Sequence, residues 1–172
     1  MNIIFLDVDG VLNNWRDAEI HYEKTHEPFV GTDWPFSKES IEVLRKIVLE
    51  TNSKIVISSS WRSFREGRKI LSEKLKEYDI FKYVIGKTPE VYEKNRRECE
   101  ILEYLKSFNE KDKAILILDD EYEGFKKLRK YAIEIDSYYG LQKKHIEQSI
   151  NIFKTQEDSK YVLNPKNWTF FD

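Results

Sequence analysis

Phe5-Leu6-Asp7-Val8-Asp9-Gly10-Val11-Leu12-Asn13, close to the start of the chain, is the stretch on which the fold turns. The apolar run from Ile3 to Leu6 has the length of a buried strand, and it stops at two carboxylates one residue apart. A lone Asp-Gly pair is more often a turn or a helix cap than a chemical site. In an open α/β sheet, however, ligands bind beyond the carboxyl ends of the strands. The weight of Asp7 and Asp9 therefore depends on what ends the other strands.

Four further strands are expected. Lys54 to Ile57 runs into Ser58-Ser59-Ser60-Trp61-Arg62, Phe81 to Ile85 into Gly86-Lys87, Ala114 to Leu118 into Asp119-Asp120, and Ile133 to Ile135 into Asp136. Helical apolar spacing separates them: a Ser37-capped helix to about Thr51, one reaching Tyr78, one from Arg96 to Phe108, a basic one through Phe125, Leu128 and Tyr131, and a last one from Gly140 to about Phe153. Alternating strands and helices imply a Rossmann-like, doubly wound parallel α/β sheet of about five strands with helices on both faces. All the polar strand ends then lie along one edge.

Residues 14–36 mix aromatic and charged side chains without periodicity and are expected to form an irregular insertion, acting as a small lid. The stretch 158–172 reads as a C-terminal tail packed on the surface. The 172 residues suit a single domain, and 29 basic against 31 acidic residues give a net charge of −2, which excludes nucleic-acid binding through bulk positive charge but not through a local cluster. The single cysteine, Cys99, excludes an internal disulfide and fits a small buried position on a helix in a cytoplasmic protein. Nothing resembles a membrane span, and no obligatory protein partner is evident.

Asp7, Asp9, Asp119 and Asp120 at one sheet edge would repel each other unless a cation compensates. An all-oxygen set of this kind suits Mg²⁺ and a substrate phosphate. His21 and His26, five apart, have poor spacing for zinc.

Taken in order, Asp7-Val8-Asp9-Gly10-Val11-Leu12, a serine ending the second strand, a basic residue ahead of the third helix and Asp119-Asp120 after a hydrophobic strand resemble the four motifs of the haloacid dehalogenase-like (HAD) hydrolase superfamily. Ser58-Ser59-Ser60-Trp61-Arg62, Arg97-Glu98-Cys99-Glu100-Ile101 and Gly140-Leu141 are similar to the HAD domains of RNA-repair and polynucleotide-end phosphatase proteins. The resemblance implies a phosphatase with Asp7 as nucleophile and Asp9 as general acid/base. It also implies Mg²⁺ held by Asp7, the Asp9 backbone carbonyl, Asp119 and Asp120. Ser58 and Arg97 would contact the transferring phosphoryl group, with Ser59 or Ser60 as alternatives to the serine and Lys94 or Arg96 to the arginine.

Gly10 would let the chain turn beside the substrate. Arg62 and Trp61 either contact a substrate phosphate and base or serve as a surface ion pair and a packed indole. Trp15 and Trp34 are further candidates for stacking, with core packing the alternative for at least one of the three tryptophans. Family members with little cap leave the site open to large substrates, and here the cap is minimal. The expected substrate is thus a nucleotide or nucleic-acid terminal phosphate, with another small phosphorylated metabolite, or a non-catalytic binding module, as the alternatives.

Overall fold

The computed structural model describes residues 1–28, 34–92, 96–107 and 114–158. Five parallel strands, β1 (Asn2–Leu6), β2 (Ser53–Ile57), β3 (Val84–Lys87), β4 (Ala114–Asp119) and β5 (Ala132–Glu134), lie in the order β3-β2-β1-β4-β5. The chain steps outward from β1 through β2 to β3, then crosses back to place β4 on the other side of β1. The topological switch point therefore falls between β1 and β4, where a parallel sheet opens a crevice beyond its carboxyl ends.

Side-chain alternation divides the sheet into two buried faces. Ile4, Leu6, Ile55, Leu116 and Leu118 meet helices α2 (Lys38–Thr51), α3 (Arg65–Glu77) and α5 (Lys144–Asp158). Ile3, Phe5, Val56, Ile115 and Ile117 meet α4 (Arg96–Ser107) through Ile101, Leu102 and Leu105. β1, β2 and β4 are buried almost throughout because both faces are covered, which is why they read as continuous apolar runs.

Residues 14–36 are not irregular throughout. They contain α1 (Trp15–Thr25), capped by Asn14, whose side-chain oxygen accepts from the Asp17 amide at 2.8 Å. Only Ala18 of α1 is buried, so the helix has no apolar stripe by which its period could be recognised. The excursion leaves and returns at one point, an antiparallel bridge between Asn13 and Phe36. The amides of Trp15 and Arg16 donate to the carbonyls of Ser137 and Tyr138, which ties its base to the turn beyond β5. Residues 29–33 of the insertion and 159–172 of the expected tail lie outside the described residues.

Three other expectations shift. The third strand begins at Val84 rather than Phe81, because Phe81–Tyr83 forms a 3₁₀ turn. The final helix starts at Lys144, since Leu141 donates instead to the Val11 carbonyl. The basic helix after β4 is replaced by two 3₁₀ turns, Tyr122–Gly124 and Arg129–Tyr131. The buried carboxylate of Glu98 accepts from the amides of Lys126 at 2.9 Å and Leu128 at 2.8 Å, taking donors that a helix would use. Phe125, Leu128 and Tyr131 are nonetheless buried, as their apolar character requires. Cys99 is buried on α4.

Candidate active site

Asp7, Ser58 and Asp119 each sit at the carboxyl end of one of the three central strands, in one register row. Leu6 is paired with both Ile57 and Leu118, and the next residues continue the ladder through Asp7 N–H to Leu118 and Ser58 N–H to Leu6. One step beyond Leu6 and Leu118, alternation turns Asp7 and Asp119 toward the face covered by α4. Arg97, in the first turn of α4, meets them there: its Nη2 lies 3.4 Å from Asp7 Oδ1 and its Nε 3.0 Å from Asp119 Oδ2.

Arg96 instead points away and pairs with Glu100, while Lys94 lies outside the described residues. Burial opposes the charge of Arg97, but the two carboxylates outweigh it and raise its pKa.

Ligand oxygens of Asp7, Asp119 and Asp120 all fall within 4.8 Å of one another. Burial, opposed by Arg97, raises the pKa of Asp7. Burial followed by the nearby Asp7 charge pushes Asp119 up to about 8 and Asp120 up to about 6.

The approach of Arg97 Nε to Asp119 Oδ2 lacks hydrogen-bond alignment, and both atoms, with Ser58 Oγ, are buried without a hydrogen-bond partner. Unsatisfied polar atoms in such a place are costly and are resolved by a ligand. Three carboxylates, two of them buried, fit a hard divalent cation, and the orphaned hydroxyl and guanidinium N–H fit phosphoryl oxygens.

Asp9 stands beside this group without joining it. Asn13 Nδ2 donates to Asp9 Oδ1 at 2.8 Å and Trp61 Nε1 to Asp9 Oδ2 at 2.9 Å, so both oxygens are fixed. Gly10 has φ +70°, and a Cβ there would meet Asp120 Cγ at 2.7 Å and Ser137 Cβ at 2.9 Å. Glycine is thus required by the close approach of Asp120 as much as by the turn. Ser59 hydrogen-bonds the Asp7 carboxylate through its hydroxyl, whose oxygen also accepts from the Trp61 amide at 3.4 Å.

Trp61 and Arg62 do not present themselves to a substrate. Trp61 is 3% exposed, packed edge-on against Phe36, and its polar edge is committed to Asp9. Arg62 is 2% exposed. Its guanidinium donates to the carbonyls of Ser58, Ser59, Thr88 and Pro89, and its Nη2 lies 2.7 Å from the equally buried Glu100. The pair joins the end of β2, the end of β3 and α4 in one network.

Asn13, Glu98 and Glu100 had no assigned role in the sequence. The signal for the two glutamates is there, because acids at 98 and 100 flank Cys99 on the otherwise apolar inner side of α4. Trp15 is half exposed and packs edge-on against Trp34, 4.4 Å between ring centroids.

The perturbed carboxylates make a prediction in the absence of metal. The unfolded chain loses the Asp119 and Asp120 protons near the ordinary value of 3.8, the folded chain only toward about 8 and about 6. The folded state then holds more protons across that interval, so its stability falls as pH rises. His145 acts in the opposite sense only below its ordinary 6.5, because burial holds it at about 4. In a chelator, the thermal midpoint is therefore expected to drop by several degrees between pH 6.5 and 8.5, and Mg²⁺ is expected to raise it more at the higher pH. A midpoint independent of pH and Mg²⁺ would refute the cluster as a cation site.

Among the described residues no helix is long and apolar enough to cross a membrane. No curated protein and no solved structure matches the chain. The family described as the HAD domain in Swiss Army Knife RNA repair proteins matches residues 3–146, which contain every site residue named above and all five strands except Asn2 at the start of β1. The chain belongs to that family of HAD-type hydrolase domains.

Proposed function

We propose that this domain is a Mg²⁺-dependent phosphatase that hydrolyses a terminal phosphate of a nucleotide or nucleic acid through an aspartyl-phosphate on Asp7. The observation that carries this reading is the row of Asp7, Ser58 and Asp119 with Arg97 reaching both acids, in which buried donors and acceptors remain unsatisfied.

Asp7 is held for attack by the Ser59 hydroxyl and by Arg97. A carboxylate oxygen of Asp7 forms the bond to phosphorus as the ester oxygen leaves, and Asp9 delivers the proton that the leaving oxygen needs. Asp9 then takes a proton from the water that attacks the acyl phosphate, releasing inorganic phosphate and restoring Asp7. Fixing Asp9 by Asn13 and Trp61 aims one carboxyl group at both transfers. Ser58 Oγ and Arg97 donate to the phosphoryl oxygens as charge develops there.

Asp7, Asp119, Asp120 and the Asp9 carbonyl would hold Mg²⁺, which supplies positive charge between an anionic nucleophile and an anionic phosphate. Beyond the α/β core, the described residues add only the excursion containing α1, which supports a site open to a long substrate.

A panel of 3′- and 5′-phosphorylated oligonucleotides, mononucleotides and an aryl phosphate, assayed with and without Mg²⁺, tests the substrate class. Mg²⁺-dependent phosphate release is expected from oligonucleotide ends. Turnover confined to mononucleotides or small metabolites would refute the open-site reading, and no turnover of any phosphomonoester would favour a binding module.

A further inference from the structure

The two outer edges of the sheet carry opposite charge. Beyond β5, a cavity of about 1090 Å³ is bordered by Asp120, Glu121, Glu123, Glu134 and Asp136, against Lys144 as its single cation among the described residues. Beyond β2, a cleft of about 450 Å³ runs between α3 and β3, and among the described residues no acid lines its wall. Its floor is apolar, with Leu75, Phe81 and Val84, and its rim carries Arg68, Lys69 and Lys87, all exposed. A polyanion leaving the site is repelled on the β5 side and attracted on the β3 side.

The cleft also adjoins the catalytic row. Arg68 Nη1 at 2.9 Å and Lys87 Nζ at 3.4 Å both donate to the Arg62 carbonyl, in the Ser60–Ser63 turn that directly follows Ser58 and Ser59. β3 lies two strands from β1, roughly 10 Å, so an occupant of the cleft is a neighbour of the scissile group rather than the group itself.

We propose that the α3–β3 cleft is the binding track for the nucleic-acid strand adjoining the terminal phosphate, with Arg68, Lys69 and Lys87 on its phosphodiesters and a base on the apolar floor. This rests on the reading that the substrate is a phosphorylated nucleic-acid end. An apolar floor beneath a cationic rim is the pairing of base contact and backbone charge that single strands require.

The test is the variant Lys69→Glu, at an exposed position whose side chain takes no part in the hydrogen bonds to the Arg62 carbonyl. Binding of a fluorescent single-stranded RNA without a terminal phosphate is measured by anisotropy across a KCl titration, beside turnover of an aryl phosphate and of a phosphorylated oligonucleotide. The variant is expected to bind the RNA about tenfold more weakly at low salt, with the slope of log affinity on log salt flatter by about 1. Its kcat/KM should fall in parallel for the oligonucleotide and stay at the wild-type value for the aryl phosphate.

Unchanged RNA affinity and slope in the variant, or no RNA binding by the wild type, would overturn the proposal. So would equally tight binding of a polyglutamate peptide, which would assign the face to acidic proteins. RNA binding lost in the variant while the wild type hydrolyses no phosphomonoester would uphold the track and refute the catalytic reading instead.

Discussion

Asp7→Asn is expected to remove phosphate release by about 10⁴-fold or more while leaving the protein folded and, without metal, more thermally stable than the wild type. The amide keeps the size of the carboxylate, and loses both the nucleophilic oxygen and the negative charge. Loss of a nucleophile typically costs several orders of magnitude, because the remaining groups cannot open a covalent route. The stability gain follows from the site itself: the Asp7 charge is the largest cause after burial of the raised pKa values of Asp119 and Asp120.

Removing that charge lets both carboxyl groups ionise at less cost near pH 8. Steady-state phosphate release and a thermal melt in chelator check the two halves together. Residual turnover within about tenfold of wild type would exclude Asp7 as nucleophile, and a lowered midpoint would show that it holds the fold rather than straining it.

The largest loss of stability is expected at Glu100→Ala. Arg62 and Glu100 are buried together, 2% and 1% exposed at the side chain, with Nη2 and Oε2 2.7 Å apart. Removing one member of such a pair leaves the other as an uncompensated interior charge, a cost of about 3–5 kcal/mol. For a chain of this length that corresponds to a midpoint about 10 °C lower. Arg62→Lys should not substitute, since one ammonium cannot span the carbonyls of Ser58, Ser59, Thr88 and Pro89 as the planar fork does.

The double variant Arg62→Met/Glu100→Leu separates stability from function. Matched apolar replacement of a buried pair is often nearly neutral, so the midpoint should recover in part. The Ser58–Ser59 turn would still lack its donor, and turnover should stay low. Thermal melts and phosphate-release assays on the three variants decide this. A loss below about 1 kcal/mol in Glu100→Ala would mean that water replaces the carboxylate.

Much of this was legible in the chain itself. The β1, β2 and β4 strands were plain because burial on both faces leaves uninterrupted apolar runs. Asp7, Asp9, Asp119 and Asp120 were plain because acids directly after such runs have few structural reasons to be there. Helix α1 and the turns after β4 were not, for opposite reasons. α1 buries one residue and shows no period, whereas Phe125, Leu128 and Tyr131 show a helical spacing that Glu98 overrides from another element.

Local order and strand-end chemistry thus belong to the sequence: which segments are strands, that the sheet is parallel, and that acids and a serine gather along one edge. Which polar side chains face that edge belongs to the tertiary structure alone. Trp61 and Arg62 follow the second strand within five residues, and have the chemistry to hold a base and a phosphate. The Ser58 and Ser59 carbonyls are local partners of Arg62, but Asp9, Thr88, Pro89 and Glu100 come from 26 to 52 positions away in the chain, and they turn the indole onto Asp9 and hold the guanidinium away from a substrate. A donor's partner is set by distance in space, and a spacing rule reads only distance along the chain.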